Sequence, residues 1–423
     1  MIKRTLPALS RASTIGWIGL GAMGHPMALN LFTKTYLAHQ NAGSSVDDRR
    51  YVICEFDENR VSSFLSELKE KGGSELVGKV ERVENGKEMA KIASRILTML
   101  PSTPQVENVY LDSTSGILSG LKEISNDTVG DVEGNGNAIE NISSSTTISS
   151  GSSEPASGSG SVSETTKTKP PLDSLTTISP LTTSSPPASS PHTLLIDCTT
   201  LSPTSALSIA SRIHQDTSGK AMMIDAPVSG GTVAARKGEL TIMFGSPSAS
   251  ITDLALPLLR TMAKEGRVVD CGGNGKGVGV KVCNNLILAI NQIALAEGLS
   301  LGRSLGIDPG LLHNVINTSS GQSWSSRVNS PSPEIPGSPG ERGYSGGFQT
   351  RLMLKDAGLA LEAAAVLDLP IPMTWAAKSI YEAVCREDEG EWASKDFSIV
   401  YEWMKKKQSE GVERGWKADP TET

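Results

Sequence analysis

A glycine triplet constrains this chain most: Gly19-Leu20-Gly21-Ala22-Met23-Gly24 sits between an apolar run, TIGWIGL (14–20), and a helix-like stretch from Met23 to about Tyr36. In a strand-turn-helix unit the first glycine permits the tight turn and the second lets the backbone approach a pyrophosphate. The third lets the helix pack on the strand. Alone the spacing is weak, and a structural glycine turn competes with it. The strand-to-helix setting points to dinucleotide binding.

The runs around it alternate. RYVICEF (50–56) and SRILTML (94–100) read as buried strands, with helical stretches at 61–70 and 84–92 between them. TLLIDCTT (193–200), AMMIDAPV (221–228), ELTIMF (239–244) and RVVDCG (267–272) resume the pattern around helices near 203–215 and 249–263. Continuously apolar strands alternating with helices imply an α/β fold, a Rossmann-type doubly wound and mostly parallel sheet covered on both faces. From Gly275 the pattern becomes helical, with a long apolar-periodic helix and helices near 309–319, 350–367, 374–387 and 395–408. The reading is a dinucleotide-binding domain over 14–272 and an all-α carboxyl-terminal domain over 273–423.

Between these halves of the sheet lies a biased stretch, about 124–191, with 26 Ser/Thr and six Pro in residues 141–190. Such a composition cannot bury enough surface to offset its ordering entropy. It reads as a disordered insertion within the first domain. Loop closure grows only logarithmically with length, so it costs about 2 kcal/mol over a short turn.

Composition excludes some classes. With 39 Lys+Arg against 46 Asp+Glu in 423 residues the chain is mildly acidic, which argues against a nucleic-acid-binding surface over its whole length. Five cysteines without a C-x-x-C pair suggest neither a disulfide framework nor a metal site. No uninterrupted run of about 18 apolar residues occurs, so no ordinary membrane-spanning helix and no membrane partner are expected. The amino terminus carries Lys3, Arg4 and Arg11 without an acid, and residues 1–13 read either as a mitochondrial transit segment or as a frayed basic tail.

Several residues carry candidate chemistry. Glu55 ends the second strand, where a carboxylate would accept from ribose hydroxyls and repel a 2′-phosphate, favouring NAD over NADP. Asp57 competes for that role, and Arg49, Arg50 or Arg60 could meet a phosphate. The long spacing from the glycines fits an inserted polar turn at 39–50. Asp225-Ala-Pro-Val-Ser229-Gly230-Gly231 follows a strand, and its hydroxyl and glycine amides suit a carboxylate, with a plain Gly-Gly turn as the alternative. Lys281 and Asn285 share a helix face; the lysine is either a snorkelling surface residue or a partly desolvated acid/base. His25 reads as a helix-start residue near the pyrophosphate, and His214 and His313, in helices with no paired carboxylate motif, read as solvated or core residues.

In order and character these pieces resemble the β-hydroxyacid dehydrogenase family, and within it the hydroxyisobutyrate branch. The resemblance is carried by WIGLGAMGHPMALNL (17–31), TMLPST (98–103), LIDCTTLSP (195–203), DAPVSGGTVAARKGELTIMFG (225–245), GVKVCNNLILAINQIALAEGLSLGRSLGIDP (279–309), NTSSGQSWSS (317–326) and GGFQTRLMLKD (346–356). It implies NAD-dependent oxidation of 3-hydroxyisobutyrate to methylmalonate semialdehyde, a mitochondrial step of valine breakdown. Lys281 would be the general acid/base and Asn285 would help hold the reacting oxygen. Ser229, Gly230 and Gly231 would bind the substrate carboxylate, and the block containing Trp324 would steer the choice of substrate. Leu100, Pro101, Gln105, Thr200 and Lys355 would reach the cofactor beside Gly19 to Gly24. Gln105 stands where the family usually has Asn, and Cys198 where Ser is common. The resemblance also implies a homodimer or homotetramer packed through the helical domain. Two other readings stay open: an NADP-dependent reductase of glyoxylate or a small semialdehyde, and a non-catalytic dinucleotide-binding scaffold.

Overall fold

The computed structural model describes residues 11–41, 49–130 and 192–411. Among them, β1 (Thr14–Ile18), β2 (Arg50–Cys54), β3 (Val80–Arg82), β4 (Arg95–Thr98), β5 (Thr193–Asp197) and β6 (Ala221–Asp225) form a parallel sheet in the order β3-β2-β1-β4-β5-β6. The connections are α1 (Gly24–Asn41), α2 (Glu58–Gly78), α3 (Gly86–Ile92), α4 (Thr103–Leu111), α5 (Ile117–Gly130) and α6 (Pro203–Asp216). Strand residues alternate between two cores. Trp17, Tyr51, Ile53, Leu97 and Ile196 pack with α1 and α2, while Ile18, Val52, Ile96, Leu195 and Met223 pack with α3 to α6. This period of two over strands buried on both sides is why the sequence runs read as continuously apolar.

The strand order reverses between β1 and β4, and the loops there leave the carboxyl edge of the sheet. Open α/β sheets bind ligands at such a switch point. The basic amino-terminal residues 1–10, the polar residues 42–48 of the expected inserted turn and the Ser/Thr-rich stretch 131–191 lie outside the described residues. Residues 39–41 complete α1 and residues 124–130 complete α5. Direct β4–β5 pairing shows that the chain leaves and re-enters one sheet across the Ser/Thr-rich stretch. Arg11 is docked rather than frayed, its guanidinium donating to Ala90 O at 2.8 Å and to Thr193 Oγ1 at 2.7 Å.

ELTIMF and RVVDCG do not extend the large sheet. They form β8 (Leu240–Phe244) and β9 (Ala263–Asp270), which with β7 (Val228–Ser229) make a separate three-stranded sheet. The chain turns sharply after Asp225, so β7 pairs antiparallel with β8, and a lone Asp225–Gly245 bridge joins the two sheets. Here α7 (Gly231–Lys237) and α8 (Ala249–Leu259) are the connections. The helix expected to reach 263 stops at Leu259, because β9 starts at Ala263.

The remainder is helical: α9 (Lys276–Ser304), α10 (Pro309–Thr318), α11 (Trp324–Val328), α12 (Thr350–Val366), α13 (Pro372–Arg386) and α14 (Val400–Ser409). α9 is the spine against which the other five pack. An 18-residue window of α9 averages a hydropathy of 1.4, apolar enough for a membrane span although no uninterrupted apolar run exists. Its buried face carries Lys281, Asn285 and Gln292, and it is the core helix of this domain.

Candidate active site

The site assembles where the sheet edge meets α9 and α12. Asp225, buried at the end of β6, accepts from Gly275 N at 2.7 Å and from Val278 N at 2.9 Å. A carboxylate at a helix amino terminus satisfies donors that have no partner within the helix. This staple anchors the first turn of α9 to the sheet, and Lys281 stands less than one turn further on.

Lys281 is only 6% exposed, so the snorkelling reading fails. Burial pushes its amine below the ordinary lysine value, the nearby Lys355 adds to that, and Asp356 opposes it. Asn285, one turn along α9, donates to Asp356 Oδ2 at 2.5 Å. Asp356 Oδ1 has no hydrogen-bond partner among the described residues, although Lys355 Nζ lies 3.5 Å away. Lys355 in turn donates to Thr200 O at 3.1 Å, which ties α12 to the loop after β5. Lys281, Asn285, Lys355 and Thr200 are thus brought together. Asp356 belongs with them, although sequence reasoning gave it no role. It closes the GGFQTRLMLKD block, but nothing in sequence spacing pairs it with Asn285 across 71 positions.

The glycine loop is shaped for a dinucleotide. Gly19 has φ +95°, and a Cβ there would stand 2.4 Å from Met99 O; a Cβ on Gly24 would stand 1.9 Å from Gly19 O. Those two glycines are required by the fold itself. Gly21 is different, because a Cβ there would meet nothing within 4 Å. That open space before the amino terminus of α1 is the approach a pyrophosphate needs, so the residues present fit the cofactor. Leu20 is buried, Met23 packs on the core and Ala22 is exposed. Leu100 leans against Gly19, while Pro101 and Gln105 are exposed and Gln105 Oε1 accepts from Ser102 Oγ.

Glu55 ends β2 beside this loop. Its Oε2 accepts from Leu20 N at 2.8 Å, and its Oε1 from Phe56 N and Asp57 N at 3.0 and 3.1 Å. The carboxylate thus also clamps the turn, with Arg60 3.8 Å away. The competing Asp57 is otherwise occupied: it caps α2 by accepting from Asn59 N and Arg60 N. His25 pairs with Glu67 at 2.8 Å, and His214 accepts from Met223 N, both structural roles.

Ser229, Gly230 and Gly231 form the turn from β7 into α7, with φ of +130° at Gly230 and +66° at Gly231. Trp324 opens α11 and is 53% exposed. Among the described residues no hydrogen bond joins that turn or Trp324 to the lysine cluster.

Comparison with known proteins agrees with this layout. The family model described as the NAD binding domain of 6-phosphogluconate dehydrogenase matches residues 14–131 and 180–273. The one described as NAD-binding of NADP-dependent 3-hydroxyisobutyrate dehydrogenase matches 275–404. The chain is 36% identical to the mitochondrial 3-hydroxyisobutyrate dehydrogenase of Bos taurus, over 95% of this chain and 90% of that protein. It is 31% identical to the probable mitochondrial 3-hydroxyisobutyrate dehydrogenase of Dictyostelium discoideum, over 94% and 92%. Among solved structures, Mycobacterium tuberculosis 3-hydroxyisobutyrate dehydrogenase with L-serine superposes with a TM-score of 0.62 at 27% identity, covering 93% of this chain and 99% of that one. The chain belongs to the 3-hydroxyisobutyrate dehydrogenase family, NAD-binding oxidoreductases that act on small hydroxy acids.

Proposed function

We propose that this chain oxidises 3-hydroxyisobutyrate to methylmalonate semialdehyde with NAD, with Lys281 as the general acid/base. The observation that carries the reading is the buried Lys281, its amine held below the usual lysine range beside Asn285, Asp356 and Lys355. An amine so desolvated can take a hydroxyl proton near neutral pH. Asn285 orients the reacting oxygen while Asp356 fixes the carboxamide. Ser229, Gly230 and Gly231 receive the substrate carboxylate, and Trp324 flanks the substrate side. Gly19 to Gly24 cradle the pyrophosphate, with Leu100, Pro101, Gln105, Thr200 and Lys355 on the nicotinamide side. The bound dinucleotide supplies the two-electron acceptor. Glu55, next to Leu20 N, favours the 2′-hydroxyl of NAD over the 2′-phosphate of NADP.

The L-serine that accompanies the similar mycobacterial enzyme in its solved structure is itself a small 3-hydroxy acid, which supports the substrate class. Valine breakdown in mitochondria is the setting, supported by the names of the relatives. The domain division at about residues 272–273 and a homodimer or homotetramer complete the reading. Exposed apolar residues of the helical domain, among them Ile287, Leu301, Leu305 and Leu311, support self-association.

The test is initial-rate reduction of NAD and NADP with 3-hydroxyisobutyrate, 3-hydroxypropionate and glycerate. We expect NAD with 3-hydroxyisobutyrate to give the highest kcat/KM. Preference for NADPH with glyoxylate in the reverse direction would contradict it.

A further inference from the structure

Below the candidate nicotinamide loops lies a buried polar network outside the cluster around Lys281. Asp197, the last residue of β5, is fully buried. Its Oδ1 accepts from Thr98 Oγ1 at 2.7 Å, from Thr199 Oγ1 at 2.7 Å and from Thr199 N at 3.3 Å. Its Oδ2 has no hydrogen-bond partner among the described residues.

The direction of each bond follows from these contacts. Thr98 spends its hydroxyl proton on Asp197, so its oxygen accepts from Tyr110 OH at 2.9 Å. Thr199 spends its proton on Asp197 likewise, so its oxygen is free to accept from Leu100 N at 3.0 Å. A hydroxyl has one proton to give, and one carboxylate oxygen thus sets the orientation of both threonines.

The consequence is mechanical. The loop after β4 carries Leu100, and the loop after β5 carries Thr199 and Thr200. Thr200 O is in turn held by Lys355, the neighbour of Asp356. A continuous set of contacts therefore runs from Asp197 through the two strand-end loops into the lysine cluster.

We propose that Asp197 is a positioning residue for hydride transfer: through Thr199 it locks the Leu100 backbone and the Thr200 loop in the spacing at which they face the nicotinamide. This rests on the proposed function, in which those loops line the nicotinamide. Asp197 touches neither substrate nor cofactor, and no group in that mechanism uses it. Misplacement of reacting groups by about 1 Å costs on the order of 10²-fold, which sets the scale of the effect.

The experiment uses the full-length enzyme with Thr199→Val, Thr199→Ser and Asp197→Asn. It measures kcat, KM for 3-hydroxyisobutyrate, the primary isotope effect with substrate deuterated at the carbinol carbon, and the unfolding midpoint. Valine removes the acceptor for Leu100 N, and serine keeps it. We expect Thr199→Val to lose about tenfold to 10²-fold in kcat with KM within about threefold, and to show a larger isotope effect. Thr199→Ser should keep the wild-type kcat. Asp197→Asn should lose kcat in the same sense if it folds, and the Thr199 pair decides the matter if it does not. A folded Thr199→Val with kcat within threefold of wild type, or a Thr199→Ser no better than valine, overturns the proposal alone. Absence of hydroxy-acid turnover by the wild type overturns the functional reading and this proposal with it.

Discussion

Asn285 on α9 donates to Asp356 on α12 at 2.5 Å, and that bond joins the two helices directly beside the buried Lys281 amine. Asp356 is also the negative charge that opposes the desolvation of Lys281, while Lys355 reinforces it. The same carboxylate thus links the helix pair and partly offsets the loss of basicity that burial imposes on the amine.

This arrangement has a signed pH consequence. In the proposed mechanism oxidation needs the neutral Lys281 amine, so kcat/KM should rise with pH as Lys281 loses its proton. Asp356→Asn removes the influence that raises the lysine, so the acid limb should move to lower pH. Lys355→Gln removes a positive neighbour and should move it to higher pH. Initial rates in buffers from pH 6 to 10 check both, and limbs that coincide with wild type would assign the limb to another group.

The glycine loop separates binding from folding. Gly21→Ala has open space for its Cβ, so stability should change by no more than about 0.5 kcal/mol. NAD affinity should fall at least about tenfold, since the methyl takes up room the pyrophosphate needs. Gly24→Ala drives a methyl into Gly19 O and should destabilise the fold itself. Thermal unfolding beside NADH fluorescence titration distinguishes the two effects, and a Gly21→Ala protein with wild-type affinity would refute the assignment of this space to the cofactor.

Asp225 serves as a cap supplied across the junction between sheet and α9. Asp225→Ala leaves Gly275 N and Val278 N buried without acceptors, and urea unfolding should show a loss of about 3 kcal/mol. A loss below about 1 kcal/mol would mean that α9 does not need this anchor.

Asp197 should betray itself in stability as well. Burial pushes its carboxyl up to about 6, with Asp225 adding to the rise and the hydrogen bonds from Thr98 and Thr199 opposing it. Tyr110, Cys198 and Asp225 are the titratable groups that face it. A raised carboxyl binds its proton more tightly folded than unfolded. The wild type should therefore lose stability relative to Asp197→Asn as pH climbs from about 4 to 6, by about 3 kcal/mol in all. The difference between the two unfolding free energies across that window is the measurement, and a flat difference would contradict it.

Much of this was legible in the chain. TIGWIGL, RYVICEF and SRILTML declare buried parallel strands because the sheet they form is covered on both faces, and Gly19, Gly21 and Gly24 gain their meaning from standing between a strand and a helix. The i,i+4 relation of Lys281 and Asn285 placed both on one face. The departure of β8 and β9 from the main sheet was not legible, because strand character says nothing of partner. Nor was the role of Asp356, since its pairing with Asn285 depends on how α12 packs across α9. Asp57 shows the converse limit: in sequence it competes with Glu55 for the ribose, yet local geometry commits it to capping α2.

In the proposed mechanism Lys281 moves the substrate proton. The direct test is the rate of NAD reduction with saturating 3-hydroxyisobutyrate by Lys281→Ala, beside NADH binding by the same protein. We expect NADH affinity within about threefold of wild type and a kcat lower by at least about 10²- to 10⁴-fold. A Lys281→Ala enzyme that binds NADH and keeps more than a tenth of wild-type kcat would contradict that claim.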